Sequence, residues 1–395
     1  MAGPELSSLT TRISVPEARA WAVANRATQL ATEGRDIIHL DIGDPDMDTD
    51  EIIRSAVIDS LNRGRTHYPP LPGEPVLRRE IADHTSAFYA RDISPEQIIV
   101  FPGVQPALYA TFQCLAEAGN EVILLQPTYA TYPAVIEACG ATIVNAVLDP
   151  KKGFQLDIPL IEALVTANTR AILINSPSNP SGAVFSAASM RALVKLCLEK
   201  GIWIVSDEVY AALVYDGEFA SPLTSPGAEE IVVVLRSLSK SHAMSGWRLG
   251  WAIAPPRLAS CLTDLSQPML FGVSQFIQDA AVTALQHSDS IVPKQRDKFR
   301  DRRDALCRKL CKIEGFDVFK PAGGMFALVD ISAFGCDGET FANELLDATG
   351  VSVVPGFAFG RAVAQCIRIG FCQEVDLLIE AAKRMADFAR ERRLR

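Results

Sequence analysis

The chain has 395 residues, more than one hydrophobic core usually fills, so two domains are expected. Its 48% hydrophobic and 22% charged residues are ordinary for a globular protein and exclude extended disorder outside the ends. A formal net charge of −9 argues against nucleic acid or an anionic membrane as the main partner and favours a small-molecule ligand.

Residues 1–13 are polar and mixed and read as an arm. A helix is expected from Val15 or Pro16 to Glu33, closed by Gly34, and then a first strand over 36–42. Gly43-Asp44-Pro45-Asp46 breaks that strand, a helix follows over 49–62, and the loop 66–73 is too rich in proline for a helix or a central strand. After a helix over 75–90 comes a buried strand over 97–101. Pro102-Gly103-Val104-Gln105-Pro106 then opens a helix over 107–118. Apolar strands over 121–125, 141–147, 171–175, 202–206 and 231–235 alternate with helices, which is the pattern of a mostly parallel sheet covered on both faces. A long charged helix over 294–313 changes the pattern. Strands over 324–330 and 366–371 and a closing helix from Val375 form a smaller α+β domain, which the first strand is free to join. The expected division is 1–47 as arm and part of the small domain, 48–289 as the large domain, and 290–395 as the C-terminal small domain.

Nine cysteines without a CxxC pair, and without histidines at ligand spacing, read as reduced thiols and not as a metal site. Cys307 and Cys311 share a helix face. No apolar run reaches the roughly 18 residues of a membrane span, and no secretion signal opens the chain, so a cytoplasmic protein is expected.

Ligands of parallel sheets lie beyond the carboxyl ends of the strands, so those ends carry the functional argument. After Phe101, Gly103-Val104-Gln105 begins a helix whose free N–H groups suit an anion, a feature that many strand–turn–helix junctions share. After Ile174, Asn175-Ser176-Pro177-Ser178-Asn179-Pro180-Ser181-Gly182 holds Asn179 between prolines, either to aim its amide at a ligand or to make a tight turn. After Ser206 stand Asp207 and Tyr210; a buried acid there needs a cation unless it caps the next helix. After Leu235 come Ser237, Ser239, Lys240 and Arg248. A lysine becomes a nucleophile when burial or a neighbouring cation such as Arg248 disfavours its ammonium form, and is otherwise a solvated loop residue.

Together, Asn-Pro-Ser-Gly, Asp-Glu-Val-Tyr and Ser-x-Ser-Lys with Gly-Trp-Arg resemble the pyridoxal-phosphate aminotransferases of fold type I, the aspartate aminotransferase superfamily, over nearly the whole chain. The resemblance implies an α/β fold: a large domain with a mostly parallel seven-stranded sheet covered by helices, and a smaller α+β domain built from both chain ends. It implies that Lys240 carries pyridoxal phosphate as a Schiff base and moves the proton between the substrate and the cofactor. Asp207 would keep the pyridine nitrogen protonated, with Asn179 and Tyr210 on the ring oxygen and Tyr129 stacked on the ring. Gly103, Val104, Gln105, Ser237, Ser239 and Arg248 match the phosphate-binding positions. Arg368 and Gly43, with Asn179, match those that hold the substrate carboxylate. Tyr68 matches a tyrosine that reaches the phosphate of the neighbouring subunit, which implies a homodimer.

Ser176, Ser178, Pro102 and Phe357 depart from the usual pattern and bear on substrate preference. Segments such as Ser237-Leu238-Ser239-Lys240-Ser241-His242-Ala243-Met244 and Phe276-Ile277-Gln278-Asp279-Ala280-Ala281 resemble the arginine–pyruvate transaminase branch. A guanidinium donor needs a carboxylate near the side-chain pocket, for which Asp46 and Asp48 stand nearest Gly43 in sequence. Transfer of an L-amino acid's amino group to pyruvate or 2-oxoglutarate is the expected reaction. The alternatives are an aspartate or aromatic aminotransferase and a carbon–sulfur β-lyase with the same cofactor cage. A regulator built on the same fold is disfavoured by the acidic chain.

Overall fold

The large sheet is built from apolar runs buried on both faces, and its order differs from the chain order at one edge. The strands are β1 (Ile38–His39), β2 (Ile98–Phe101), β3 (Glu121–Gln126), β4 (Thr142–Val147), β5 (Thr169–Asn175), β6 (Trp203–Asp207), β7 (Val232–Ser237), β8 (Gly250–Ile253), β9 (Asp317–Phe319), β10 (Phe326–Asp330), β11 (Val351–Ser352), β12 (Val354–Pro355) and β13 (Cys366–Gly370), in a computed structural model that describes residues 4–14 and 20–394. Seven of them lie in the order β2-β8-β7-β6-β5-β3-β4. Neighbours from β7 to β4 pair in parallel, and β8 runs antiparallel to both β2 and β7. Strand β8 escapes a reading of the sequence because it is four residues long and begins at a glycine.

One apolar cluster covers each face of this sheet, and a third fills the small domain. Val233 and Leu235 of β7 are fully buried, and each such side chain contributes about 1.5–3 kcal/mol relative to exposure. That burial fixes the carboxyl ends of β5, β6 and β7 side by side, with Asn175 opposite Asp207 and Asp207 opposite Leu235.

The small domain carries the antiparallel sheet β12-β13-β10-β9. Strand β1 pairs in parallel with β11, Ile38 opposite Val351 and His39 opposite Ser352, so the first strand lies on the C-terminal layer. It is two residues long, not the seven expected: Asp36 and Ile37 precede the pairing, and Leu40 donates from its N–H to Ser352 O at 2.9 Å while its carbonyl turns to accept from Gly370 N at 2.6 Å. Arg302 ties this layer to the N-terminal turn. Its buried guanidinium donates to Asp46 Oδ1 at 2.6 Å and Oδ2 at 2.8 Å, and to Glu374 at 2.8 Å. Asp46 is therefore committed to Arg302.

The helix expected over 107–118 starts at Val104 and ends at Leu115. Pro106 sits in its first turn, where a missing N–H breaks no helical bond. The helix expected from Val15 or Pro16 is Ala22–Thr32, and the expected start lies outside the described residues. The long charged helix begins earlier than expected, at Ser288, and carries Pro293 in its second turn before ending at Leu310. Helices Pro256–Met269, Gln275–Gln286 and Gly338–Thr349 complete the layers. All nine cysteines are free, with Cys307 buried and Cys311 exposed. Among the described residues, no helix is long and apolar enough to cross a membrane and no group of metal-ligating side chains occurs.

Candidate active site

Asp207 ends β6 and is buried. Its carboxylate accepts from Tyr132 Oη at 2.6 Å and from Val209 N at 3.1 Å, and among the described residues no lysine or arginine reaches ion-pair distance. Burial pushes its pKa up to about 6, against the pull of these two hydrogen bonds. On the next strand, Asn175 Nδ2 donates to Asp207 O at 3.0 Å, and its Oδ1 accepts from Asn179 N at 2.7 Å. The loop after β5 is thus held by its own asparagine.

Asn179 Oδ1 in turn accepts from Arg368 Nη1 at 3.1 Å, and Arg368 Nη2 donates to Asp41 O at 2.7 Å. Arg368 lies on β13 and is 1% exposed, with its guanidinium carbon 4.0 Å from the Phe326 ring centroid and 5.0 Å from that of Phe359. Its Nε has no partner, and among the described residues no carboxylate pairs with it. A buried guanidinium in this condition is built to receive an anion from outside the chain.

Lys240 follows the end of β7, and its Nζ donates to Gly43 O at 2.5 Å. Burial lowers its pKa, assisted by the positive charges of Arg248 and Arg368 and opposed by Asp44. Arg248 adopts φ +55° and donates from Nη1 to Ser245 O at 2.7 Å. Its guanidinium lies over Gly103, where an added Cβ would stand 2.6 Å from Nη2 and would push the guanidinium aside, and the φ of +103° there favours glycine. Gly103 (φ +103°) opens the helix whose first N–H groups, at Val104 and Gln105, have no intrahelical partner.

These side chains enclose a cavity of about 270 Å³. It gathers the predicted Gly43, Val104, Gln105, Tyr129, Asn179 and Asp207, and likewise Tyr210, Ser237, Ser239, Lys240, Arg248 and Arg368. Gly103 abuts it behind Arg248. Tyr68 stands apart: it is 79% exposed, with its ring against Phe271 at 5.0 Å between centroids. Trp21, Tyr132, Asn175, Val209, Ser245 and Phe326 line the cavity without having been singled out as site residues. Tyr132 was open to inference, since it ends the segment that carries Tyr129 and helix starts place neighbouring turns on one face. Trp21 and Phe326 carry no such signal, because they arrive from other layers.

The departures from the family pattern lie outside the lining. Ser176 Oγ accepts from Phe185 N at 3.1 Å, and Ser178 exchanges backbone bonds with Ala183 and Gly182, so both serines brace the Asn179 loop. Phe357 borders a different groove, beside Arg361 and Asp337.

Residues 35–384 match the family described as aminotransferase class I and II. The chain belongs to this family. This aminotransferase is 43% identical over 385 residues to an arginine–pyruvate transaminase of Pseudomonas aeruginosa, covering 98% of both chains. It is 35% identical over 370 residues to a probable aspartate/prephenate aminotransferase of Aquifex aeolicus, covering 92% of this chain and 93% of that one. Its structure superimposes on the Thermus thermophilus aspartate aminotransferase with maleate at a TM-score of 0.93 and 32% identity, covering 98% of this chain and all of the other. It is a pyridoxal-phosphate-dependent transferase acting on amino acids and 2-oxo acids, and the shared fold is that of fold type I. These names favour transamination over carbon–sulfur elimination.

Proposed function

We propose that this aminotransferase moves the amino group of L-arginine to pyruvate, with Lys240 as the amine that attaches pyridoxal phosphate. The observation that carries the reading is one cavity holding a buried Asp207 and a buried Arg368, neither with an ion-pair partner among the described residues, together with a lysine of lowered pKa.

The residues present fit the cofactor. A buried carboxylate without a cation suits a protonated pyridine nitrogen. Arg248 lies over Gly103, where an added Cβ would displace its guanidinium; with the N–H groups of Val104 and Gln105 and the hydroxyls of Ser237 and Ser239, it suits a phosphate. Tyr129 offers a ring face, and Asn179 and Tyr210 suit the ring oxygen. When bound, pyridoxal phosphate supplies an electron sink for the charge left on the substrate Cα. Lys240 Nζ takes the Cα proton and returns it, a role that its lowered pKa favours. Arg368, with Gly43 beside Lys240, orients the substrate α-carboxylate through its fork of N–H donors.

The donor follows from charge. Lys240, Arg248 and Arg368 are the cations of the lining, each with a task above, and Val104 is apolar. A donor with a distal carboxylate finds no further cation among the described lining residues. Asp44 lies at the rim, where it accepts a hydrogen bond from Ser245 Oγ, and its carboxylate can receive a guanidinium. Asp46 cannot, because Arg302 holds it. Pyruvate as acceptor rests on the name of the 43% identical relative.

Incubating the loaded enzyme with L-arginine and pyruvate is expected to yield alanine and the guanidino 2-oxo acid by mass spectrometry. The kcat/KM for arginine should exceed that for aspartate at least about tenfold, the worth of one charge-assisted hydrogen bond. Asp44→Asn should lower the arginine value about tenfold relative to a neutral donor. The reverse ranking of arginine and aspartate would remove the donor assignment and leave transamination standing.

We further propose a cytoplasmic homodimer in which Tyr68 completes the neighbouring site, and a domain division at 48–289. Support for the dimer is an uncovered aromatic pair, Tyr68 of the proline-rich loop and Phe271 just after the helix Pro256–Met269, 79% and 49% exposed. Nine unpaired thiols suit a reducing compartment, and the β1–β11 pairing supports a small domain drawn from both chain ends. Mixing inactive Lys240→Ala subunits with impaired Tyr68→Ala subunits is expected to restore about a quarter of the activity, since each hybrid dimer then holds one intact site. Mixtures that stay as inactive as their parents would count against the shared site.

A further inference from the structure

We propose that a second cavity, behind the turn that carries Lys240, binds a small monocarboxylate with an apolar body. The cavity, of about 190 Å³, lies between the ends of β7 and β8 and the helices Pro75–Tyr89 and Ser288–Leu310. His84, Arg236 and Trp251 form its polar wall, Phe88 and Leu285 belong to its apolar wall, and Asp289 is exposed at the edge.

Its polar wall is unsatisfied. Among the described residues, eight buried side-chain nitrogen and oxygen atoms lack a hydrogen-bond partner. Three of them, His84 Nδ1, Arg236 Nη1 and Trp251 Nε1, belong to residues that line this one cavity. Unpartnered buried polar groups are rare and costly, so three around one space point to a missing occupant. Arg236 is the strongest of them. It is 7% exposed, has no ion pair among the described residues, and stacks 4.3 Å from the Phe88 ring centroid. Glu208, whose charge interacts with that of Arg236, is taken up by hydrogen bonds from Tyr89, from Ser206 Oγ at 3.0 Å and from Ser221 Oγ at 2.5 Å.

The chemistry of these groups selects the occupant. The side chains of arginine and tryptophan only donate hydrogen bonds, so the occupant must accept. Burial pulls His84 down to about 4 and His242 to about 3, so both imidazoles are neutral and Arg236 supplies the single inner positive charge. Asp289 at the edge repels a second negative charge, which disfavours phosphate and dicarboxylates. The apolar wall wants carbon against it. The cavity has room for about six waters, which would satisfy donors but would leave the charge of Arg236 unpaired.

The occupant would lie against the catalytic turn. Ser237 lines both cavities. Ser241, which follows Lys240, hydrogen-bonds His242 Nδ1 at 2.8 Å, and His242 Nε2 bonds Ser288 Oγ at 3.0 Å.

The test uses benzoate in calorimetric titrations of the cofactor-loaded protein carrying Arg368→Gln, which removes the carboxylate site proposed above. One benzoate per chain is expected in that background. Adding Arg236→Gln should weaken it at least tenfold, and so should Ala212→Leu, which narrows the cavity without changing its charge. Sulfate should bind at least tenfold more weakly than benzoate. An absence of benzoate binding in the Arg368→Gln protein, or binding that neither second substitution weakens, overturns the proposal. Should the Arg236→Gln protein not fold, the Ala212→Leu result decides. Loss of transaminase activity in Arg368→Gln bears on the first site alone.

Discussion

Replacing Lys240 with alanine is expected to lower kcat by at least about 10⁴-fold, because one side chain supplies both the attaching amine and the proton carrier, and general acid–base catalysis alone is worth about 10²–10⁴. The same change should leave the fold as stable or slightly more so. Lys240 is largely buried, its burial disfavours the ammonium form, and its Nζ donates to Gly43 O at 2.5 Å. Little native stabilisation is lost with it, and a desolvated charge is removed. Single-turnover assays and thermal melts on the same preparation separate the two effects. A small primary amine added from solution should return part of the activity through the space the side chain leaves. Lys240→Arg should be as inactive as alanine, since a guanidinium does not give up its proton near neutral pH. Turnover within tenfold of the parent in either variant would sink the assignment of Lys240.

Asp207→Asn should reduce kcat by about 10²–10⁴-fold, the equivalent of the 3–5 kcal/mol lost when one partner of a buried ion pair is removed. Its effect on the cofactor-free protein runs the other way and depends on pH. The folded pKa stands at about 6, above the ordinary 3.8, so the fold favours the protonated acid. The unfolded chain binds fewer protons than the fold between about pH 4 and pH 6. Stability is therefore full below pH 4 and is lost as pH rises through that window, by about 3 kcal/mol for a shift of about two units. Asparagine carries no charge to desolvate. The cofactor-free variant is expected to exceed the parent in stability at pH 8 by up to about 3 kcal/mol and to match it near pH 4. Urea titrations at the two pH values read this difference. An equal change at both would mean that asparagine acts through packing against Tyr132 and Val209 and not through charge.

The candidate site was legible at the strand ends. Phe101, Asn175, Asp207 and Ser237 close strands that the sequence marks as continuous apolar runs, and ligands of parallel sheets gather at such ends. Motif chemistry then singled out Asn179, Tyr210, Lys240 and Arg248, all of which line the cavity. Proximity along the chain misled at Asp46. It stands three residues from Gly43, yet Arg302, 256 residues away, takes both of its oxygens. Asp44, one residue from Gly43, has the freer carboxylate. Trp21 and Phe326 stayed hidden because their surroundings in sequence are those of ordinary core residues.

By itself, then, the sequence determined the alternation of strand and helix, the mostly parallel sheet, the family and the residues that carry charge and nucleophilicity, because apolar runs and motif spacing are properties of short segments. The tertiary structure alone decided the antiparallel course of β8, the seating of β1 on β11, and the meeting of Arg368 with Asn179 across 189 residues. It also decided that, among the described residues, Asp207 and Arg368 have no partner of opposite charge and that three buried polar atoms without a hydrogen-bond partner belong to residues lining one further cavity. A run of apolar residues says that a segment is buried and says nothing of what it is buried against. Partners are chosen by the packing of the whole chain, and it is the groups left without one that mark where a ligand belongs.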